Sequence, residues 1–373
     1  MLEKGWDLSS AKWILALSLT FAAALNGTMV MPLIVMAAGR LPGFDEGLAT
    51  AVVASEIAGV ALYCLLLPRF GSQSPRRLAL AAAILLAASE AVSGFLADPA
   101  PLAAARFAAG LAEGALFSLI ARQLAARAGA ERLWGQINLI GGLAMGSLLY
   151  GLSNLPDGRG IFLWLAAFTA VAAPAILLAG APASAPTDDA APRPGRIGLI
   201  LGIVFLVYAV QAGQWAVSGY VGEGSSLSAA RVGLFLALSS IAGFIGAVVP
   251  SLTRNPRRRL PGVLVGFLVM SLALAFFFNL AGAAPFLGAQ ILVNVGFYMA
   301  TPFLTGLLTE ADRDGALLMK TLVVALSGAA IGTAVAGETF IRLGPVWFSV
   351  AAIAAIVFAA TGATRIFTRG AEI

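Results

Sequence analysis

Apolar runs of about twenty residues recur along this chain from end to end, and no other feature limits its fold as strongly. They fall near residues 13–38, 47–67, 77–97, 99–125, 133–153, 160–181, 197–220, 227–250, 260–281, 283–308, 315–337 and 343–364. A helix rising about 1.5 Å per residue needs roughly 20 apolar residues to cross the hydrocarbon layer of a bilayer. A membrane β-strand would instead alternate in polarity over about ten residues, and these runs do not alternate. The pattern therefore predicts an all-α integral membrane protein with twelve transmembrane helices.

Composition agrees. Only 11% of the 373 residues are charged and 60% are hydrophobic, whereas soluble domains carry about 25% charged residues. Lys4 and Lys12 precede a first run that is too long for a signal-peptide core. Cys64 is the single cysteine, so no intrachain disulfide forms, and there is no histidine. The usual zinc and haem ligands and the commonest general base are thus missing, and no metal or cofactor is expected. Proton chemistry here has to run on carboxylates. No GxxxxGK[ST] phosphate loop occurs, which argues against ATP as the energy source.

The net charge of +5 would suit nucleic acid, but the placement of the basic residues argues otherwise. With twelve spans and the N-terminus inside, 18 of the 23 lysines and arginines fall on the inner side. Only Arg40, Arg159, Arg231 and Arg342 fall outside, and Arg106 lies within a span. This is the positive-inside bias, and it alternates loop by loop. Both termini are expected in the cytoplasm. Arginine far exceeds lysine, and alanine and glycine abound, a bias that suits a GC-rich bacterial source and so a bacterial cytoplasmic (inner) membrane.

The longest polar break, rich in Pro and Ala, separates six runs from six. It divides the chain into residues 1–182, a linker at 183–196, and residues 197–373. Each half repeats a basic loop after its second run. The first is Pro68-Arg69-Phe70-Gly71-Ser72-Gln73-Ser74-Pro75-Arg76-Arg77 and the second Pro250-Ser251-Leu252-Thr253-Arg254-Asn255-Pro256-Arg257-Arg258-Arg259. Repeated halves characterise many secondary transporters, with a site near the midplane between them.

The fourth run carries Arg106-Phe107-Ala108-Ala109-Gly110-Leu111-Ala112-Glu113-Gly114. An arginine followed by glycines four and eight residues on resembles the fourth-helix signature of the major facilitator superfamily. The six-plus-six layout matches that family over essentially the whole chain. The family's loop signature is degenerate here, with Pro68 in place of the usual acidic residue, and the fifth helix lacks the Gly-Pro pair of its proton-driven drug exporters. The resemblance implies two pseudo-symmetric six-helix bundles, a monomer, and a central cavity lined by the first, fourth, seventh and tenth helices.

Within the runs, ionisable side chains are few: Glu56, Glu90, Arg106 and Glu113. Each costs at least ~2.5–3.5 kcal/mol at a span centre, so each needs a partner or a purpose. Counted from the outer ends, Glu56, Glu90 and Arg106 share one layer, and Glu113 follows two turns deeper. On the family layout Arg106 and Glu113 border the cavity, Glu56 is near enough to pair, and Glu90 ranks last. One reading is a Glu56–Arg106 pair that opens on proton or solute binding, with Glu113 titrating. The other is that Arg106 only locks helices together.

Neutral polar residues mark a second set. Asn26 sits mid-depth in the first run. Gln211, Gln214, Trp215 and Ser218 share a face of the seventh at three- and four-residue spacing, as do Gln290, Asn294, Phe297, Tyr298 and Thr301 on the tenth. Amides and rings on facing helices suit a neutral or amphipathic organic solute. Interhelical hydrogen bonding, often worth about 0.6 kcal/mol, is the competing account. Asn26, Gln211, Gln214, Trp215, Asn294, Tyr298 and, on the fifth run, Asn138 are the candidate solute-binding residues. The expected function is proton-coupled secondary transport of a small organic solute by alternating access. An uncoupled facilitator, or a membrane enzyme or sensor without transport, are the alternatives.

Overall fold

A computed structural model describes residues 8–70, 74–125, 130–155, 158–179, 194–253, 258–311 and 316–368. Among them the backbone is helical almost throughout, with no strand. The linker expected at 183–196 lies almost wholly outside these residues, as do parts of both repeated basic loops.

The helices follow the apolar runs. In order they are α1 (Leu8–Ala24), α2 (Asn26–Gly39), α3 (Glu46–Phe70), α4 (Pro75–Ser93), α5 (Pro99–Ala125), α6 (Ala130–Leu152) and α7 (Gly158–Ala172), which runs on into a 3₁₀ stretch at Ala173–Ala179. Then come α8 (Pro194–Gly224), α9 (Ala229–Gly243), a 3₁₀ turn at Phe244–Ala247, α10 (Val248–Leu252), α11 (Arg259–Asn279), α12 (Ala283–Ala311) and α13 (Ala316–Thr368).

Two of these differ from the sequence expectation. The first run is not one helix, because Leu25 takes φ −127° and ψ 10° and divides it into α1 and α2. The last two runs form one long helical element, interrupted only at Gly344 (φ 74°, ψ 169°), with Pro345 next. That conformation is essentially open to glycine alone.

Nine helical stretches among the described residues are long and apolar enough to cross a membrane. The long α13 counts once among them despite its break at Gly344, and α4 and α6 are not included. Their sequences give the reason: α4 opens on Arg76 and Arg77 and carries Glu90, and α6 carries Gln136 and Asn138.

Packing sorts the helices into two groups. In the first half α3 and α4 lie along α5, α4 also meets α7, and α1 lies against α6 and the 3₁₀ stretch after α7. In the second half α8 lies along α13, α11 against α12 and α13, and α9 against α12. Between the halves run α3 against α13, α6 against α9, and α2 against α8. Two glycines allow the closest approaches. A Cβ on Gly110 would fall on the backbone of Glu56, and one on Gly332 on the backbone of Ala209.

The polarity is that of a protein made for lipid. Large apolar side chains such as Phe95, Trp164, Val171, Leu178 and Phe358 point outward, while Glu56, Glu90, Arg106 and Glu113 are enclosed. Three of the contacts that cross between the halves lie toward one end of the molecule, near Arg40. Arg40 pairs with Glu223 at 2.5 Å, the Tyr220 hydroxyl donates to the Val35 carbonyl at 3.1 Å, and the Gly337 N–H donates to Thr50 Oγ1 at 3.2 Å.

Candidate functional site

Five helices of the first half, α2, α3, α4, α5 and α7, enclose the charged residues. Arg106 of α5 donates through Nε (3.2 Å) and Nη2 to the two carboxylate oxygens of Glu56 on α3, a bidentate grip. The guanidinium also lies 5.5 Å from the centre of the Phe162 ring on α7. The ring's electron-rich face is a favourable neighbour for a desolvated cation. Both members of the pair are fully buried.

Glu90 of α4, ranked last from the sequence, belongs to the same cluster. Asn26 Nδ2 donates to Glu90 Oε1 at 2.6 Å and to Thr169 Oγ1 on α7 at 2.8 Å. Asn26 is fully buried, with its amide nitrogen held between Glu90 and Thr169. Thr169 was missed in the sequence. A lone threonine in an apolar run carries no signal until its helix is brought beside Glu90.

Glu113 was expected two turns deeper than the others. Its side chain instead meets the break in the first span, where the Gly27 N–H donates to Glu113 Oε1 at 3.2 Å. Glu56 crowds the same glycine, since a Cβ on Gly27 would fall on the Glu56 carboxylate. Three carboxylates therefore share a buried volume with one guanidinium. Arg106 Nη1, Asn26 Oδ1 and the second oxygens of Glu90 and Glu113 find no hydrogen-bond partner among the described residues.

The second set forms between α8 and α12, as the spacing predicted. Gln211 Nε2 donates to Asn294 Oδ1 at 2.9 Å, and Gln214 Nε2 to Gln290 Oε1 at 2.7 Å. Asn294 Nδ2 donates in turn to the Ser239 carbonyl at 3.1 Å. Gln211 Oε1, Gln214 Oε1 and Gln290 Nε2 keep unused hydrogen-bonding capacity. Rings flank these amides: Tyr298 stacks on Phe244 at 4.9 Å and Tyr208 meets Phe297 edge-on at 5.1 Å. Gln211 and Tyr298 are partly exposed, as is Asn138 on α6. Trp215 turns away from the amides, and its Nε1 donates across the halves to the Thr28 carbonyl at 3.2 Å. Among the described residues, no cluster of potential metal ligands occurs.

Solved membrane-transporter structures share this all-helical fold. Aligned with a bacterial homologue of the human lysosomal transporter Spinster, in an inward-facing and unoccupied conformation, the chain gives a TM-score of 0.78 at 15% identity over 98% of this chain and 99% of that one. The nucleoside transporter NupG gives 0.73 at 12% identity, covering 97% and 100%. A D-xylose-proton symporter gives 0.73 at 16%, covering 94% and 96%. These neighbours are transporters, not enzymes, and this chain shares their fold. No protein-family model and no curated protein matches the sequence.

Proposed function

We propose that this chain is a secondary active transporter that carries a small organic solute across a bilayer by alternating access, coupled to protons. The enclosure of Arg106 with Glu56, Glu90 and Glu113, all without exposed surface, carries this reading. Arginine stays protonated in proteins. An uncompensated buried ion costs several kcal/mol. Three carboxylates face one guanidinium, so the cluster reaches neutrality only when the two not balanced by Arg106 hold protons. Glu56 is the balanced one, gripped by Arg106. Glu113, held by a single backbone N–H, is the exchanging group, and Glu90 with Asn26 and Thr169 is its reserve.

The solute is read in the other half by Gln211, Gln214, Asn294 and Tyr298, with Asn138 a candidate from α6 and Trp215 set apart, its indole N–H held by the Thr28 carbonyl. This face carries amides and rings and no buried charge among its named residues, which suits a neutral or amphipathic organic molecule. The likeness to a symporter of sugar and protons supports joining this fold to proton coupling.

The layout we infer is twelve spans in two six-helix bundles, residues 1–182 and 197–373, joined by a linker at 183–196. The two arms of α13 count as two spans, and α4 and α6 as one each. The arginine bias puts the Arg40 end outside and both termini in the cytoplasm of a bacterial cell, with the protein a monomer in the cytoplasmic membrane. On that orientation the contacts near Arg40 close the outer side.

The alternative is an uncoupled facilitator in which Arg106 is a helix lock, and its bidentate grip on Glu56 favours that reading. A ligand that binds only the folded state raises its melting point, so a thermal-shift screen of metabolites on the purified protein supplies candidate solutes. Flux of those solutes is then followed in proteoliposomes. Flux driven by a pH gradient is the expected outcome. Flux indifferent to the gradient means a facilitator, and no flux of any stabilising compound ends the transporter reading.

A further inference from the structure

The break in the first span touches both sites at adjacent residues. In an α-helix the carbonyl of residue i accepts from the N–H of residue i+4. For Thr28 that donor would be residue 32, which is Pro32 inside α2 and has no N–H. The Thr28 carbonyl is thereby left without its regular helical partner, and the Trp215 indole N–H of α8 takes it at 3.2 Å. One residue earlier, the Gly27 N–H reaches Glu113 of α5 at 3.2 Å. The sequence at 27–28 thus holds a carboxylate of the first half by its donor and an indole of the second half by its acceptor. The next residue to that indole is Gln214, one of the paired amides.

We propose that the Gly27–Thr28 segment is the mechanical link between proton binding and solute binding, with Trp215 and Pro32 as its positioning residues. This rests on the reading of Glu113 as the proton-exchanging group. When Glu113 is charged it grips the Gly27 N–H as a charge-assisted hydrogen bond, roughly twice as strong as a neutral one. Protonation relaxes that grip, the start of α2 shifts, and the Thr28 carbonyl moves relative to Trp215. A solute that engages the α8–α12 face works the same link in the other direction. The groups that set the charge around Glu113 are Glu56 from α3, Glu90 from α4 and Arg106 from α5 itself; α2 and α7 bring only the neutral Asn26 and Thr169.

Protons are the probe, and no solute is required. A variant keeping Trp215 as its only tryptophan, purified in detergent, is titrated with acid while two signals are followed. The infrared carboxylic-acid C=O band that disappears in Glu113→Gln reports proton binding, and the Trp215 emission maximum reports the link. Expected is a Trp215 shift over the same pH interval as the band, with both lost in Glu113→Gln. In Pro32→Ala a backbone N–H is restored to compete for Thr28, so the band still titrates while the Trp215 shift is lost. Pro32→Gly restores the same N–H and serves if the alanine variant does not fold. A band that titrates while Trp215 stays fixed in the parent, or a Trp215 shift that survives in the Pro32 variants, overturns the link and leaves the proton site standing. Absence of any titrating Glu113 band overturns the proton site itself.

Discussion

Glu56 and Arg106 share two hydrogen bonds where neither has exposed surface. Removing one member of a buried ion pair strands the other, at a cost of about 3–5 kcal/mol, while replacing both with apolar residues is often neutral. Arg106→Ala should therefore lower the melting point of the purified protein sharply, because it strands Glu56 and leaves all three carboxylates without a counter-charge. The double replacement Glu56→Leu with Arg106→Met should recover most of that loss while transport stays absent. Equal melting points for Arg106→Ala and the parent would mean the cluster is hydrated and the pair contributes little. The sequence announced these four ionisable residues, since any charge in an apolar run stands out. It did not announce their companions. Thr169, Phe162 and the Gly27 backbone are ordinary in sequence and acquire their roles only when helices far apart in the chain pack around Glu90, Arg106 and Glu113.

Among the elements, the broken first span and the long α13 show where periodicity was a poor guide. Apolarity locates a span but says nothing about a kink inside it. The break at Leu25 has no glycine or proline of its own, and the proline that exposes a carbonyl lies later, at Pro32. At the other end the gap between the last two runs, at 338–342, falls just before the turn, and Gly344 itself lies inside the last run. Its backbone lies where only glycine is comfortable, so Gly344→Ala should destabilise by about 1–3 kcal/mol, seen as a lower melting point. A second test concerns the seam between α8 and α13. Gly332 sits against the Ala209 backbone, where nothing flexible can yield. Gly332→Leu should cost about 1–3 kcal/mol or more as overpacking, whereas Gly288→Leu, on a helix with open space at that position, should leave the melting point nearly unchanged.

For the whole molecule, the contacts near Arg40 define a state that the alternating access proposed above would have to leave. The Arg40–Glu223 pair bridges the halves at an exposed position. Such pairs contribute only about 0–1 kcal/mol, enough to hold a gate and not enough to lock it. Cysteines placed at 40 and 223, in a background with Cys64 replaced by Ser, should cross-link under oxidation and stop solute flux, and reduction should restore it. Undiminished flux with the link formed would show that this end does not open. Composition made the membrane class legible, because lipid imposes an apolar run on every span. The identity of the solute was not legible, because the amide pairs Gln211–Asn294 and Gln214–Gln290 can serve many neutral molecules.

The claim on which the rest depends is that the enclosed carboxylates carry protons during transport. It is tested most directly by comparing pH-gradient-driven uptake with solute exchange at equal pH, in proteoliposomes, for the parent and for Glu113→Gln and Glu56→Gln. The account predicts that both variants lose gradient-driven uptake while Glu113→Gln retains exchange at close to the parent rate. Gradient-driven uptake unchanged in both variants would contradict it.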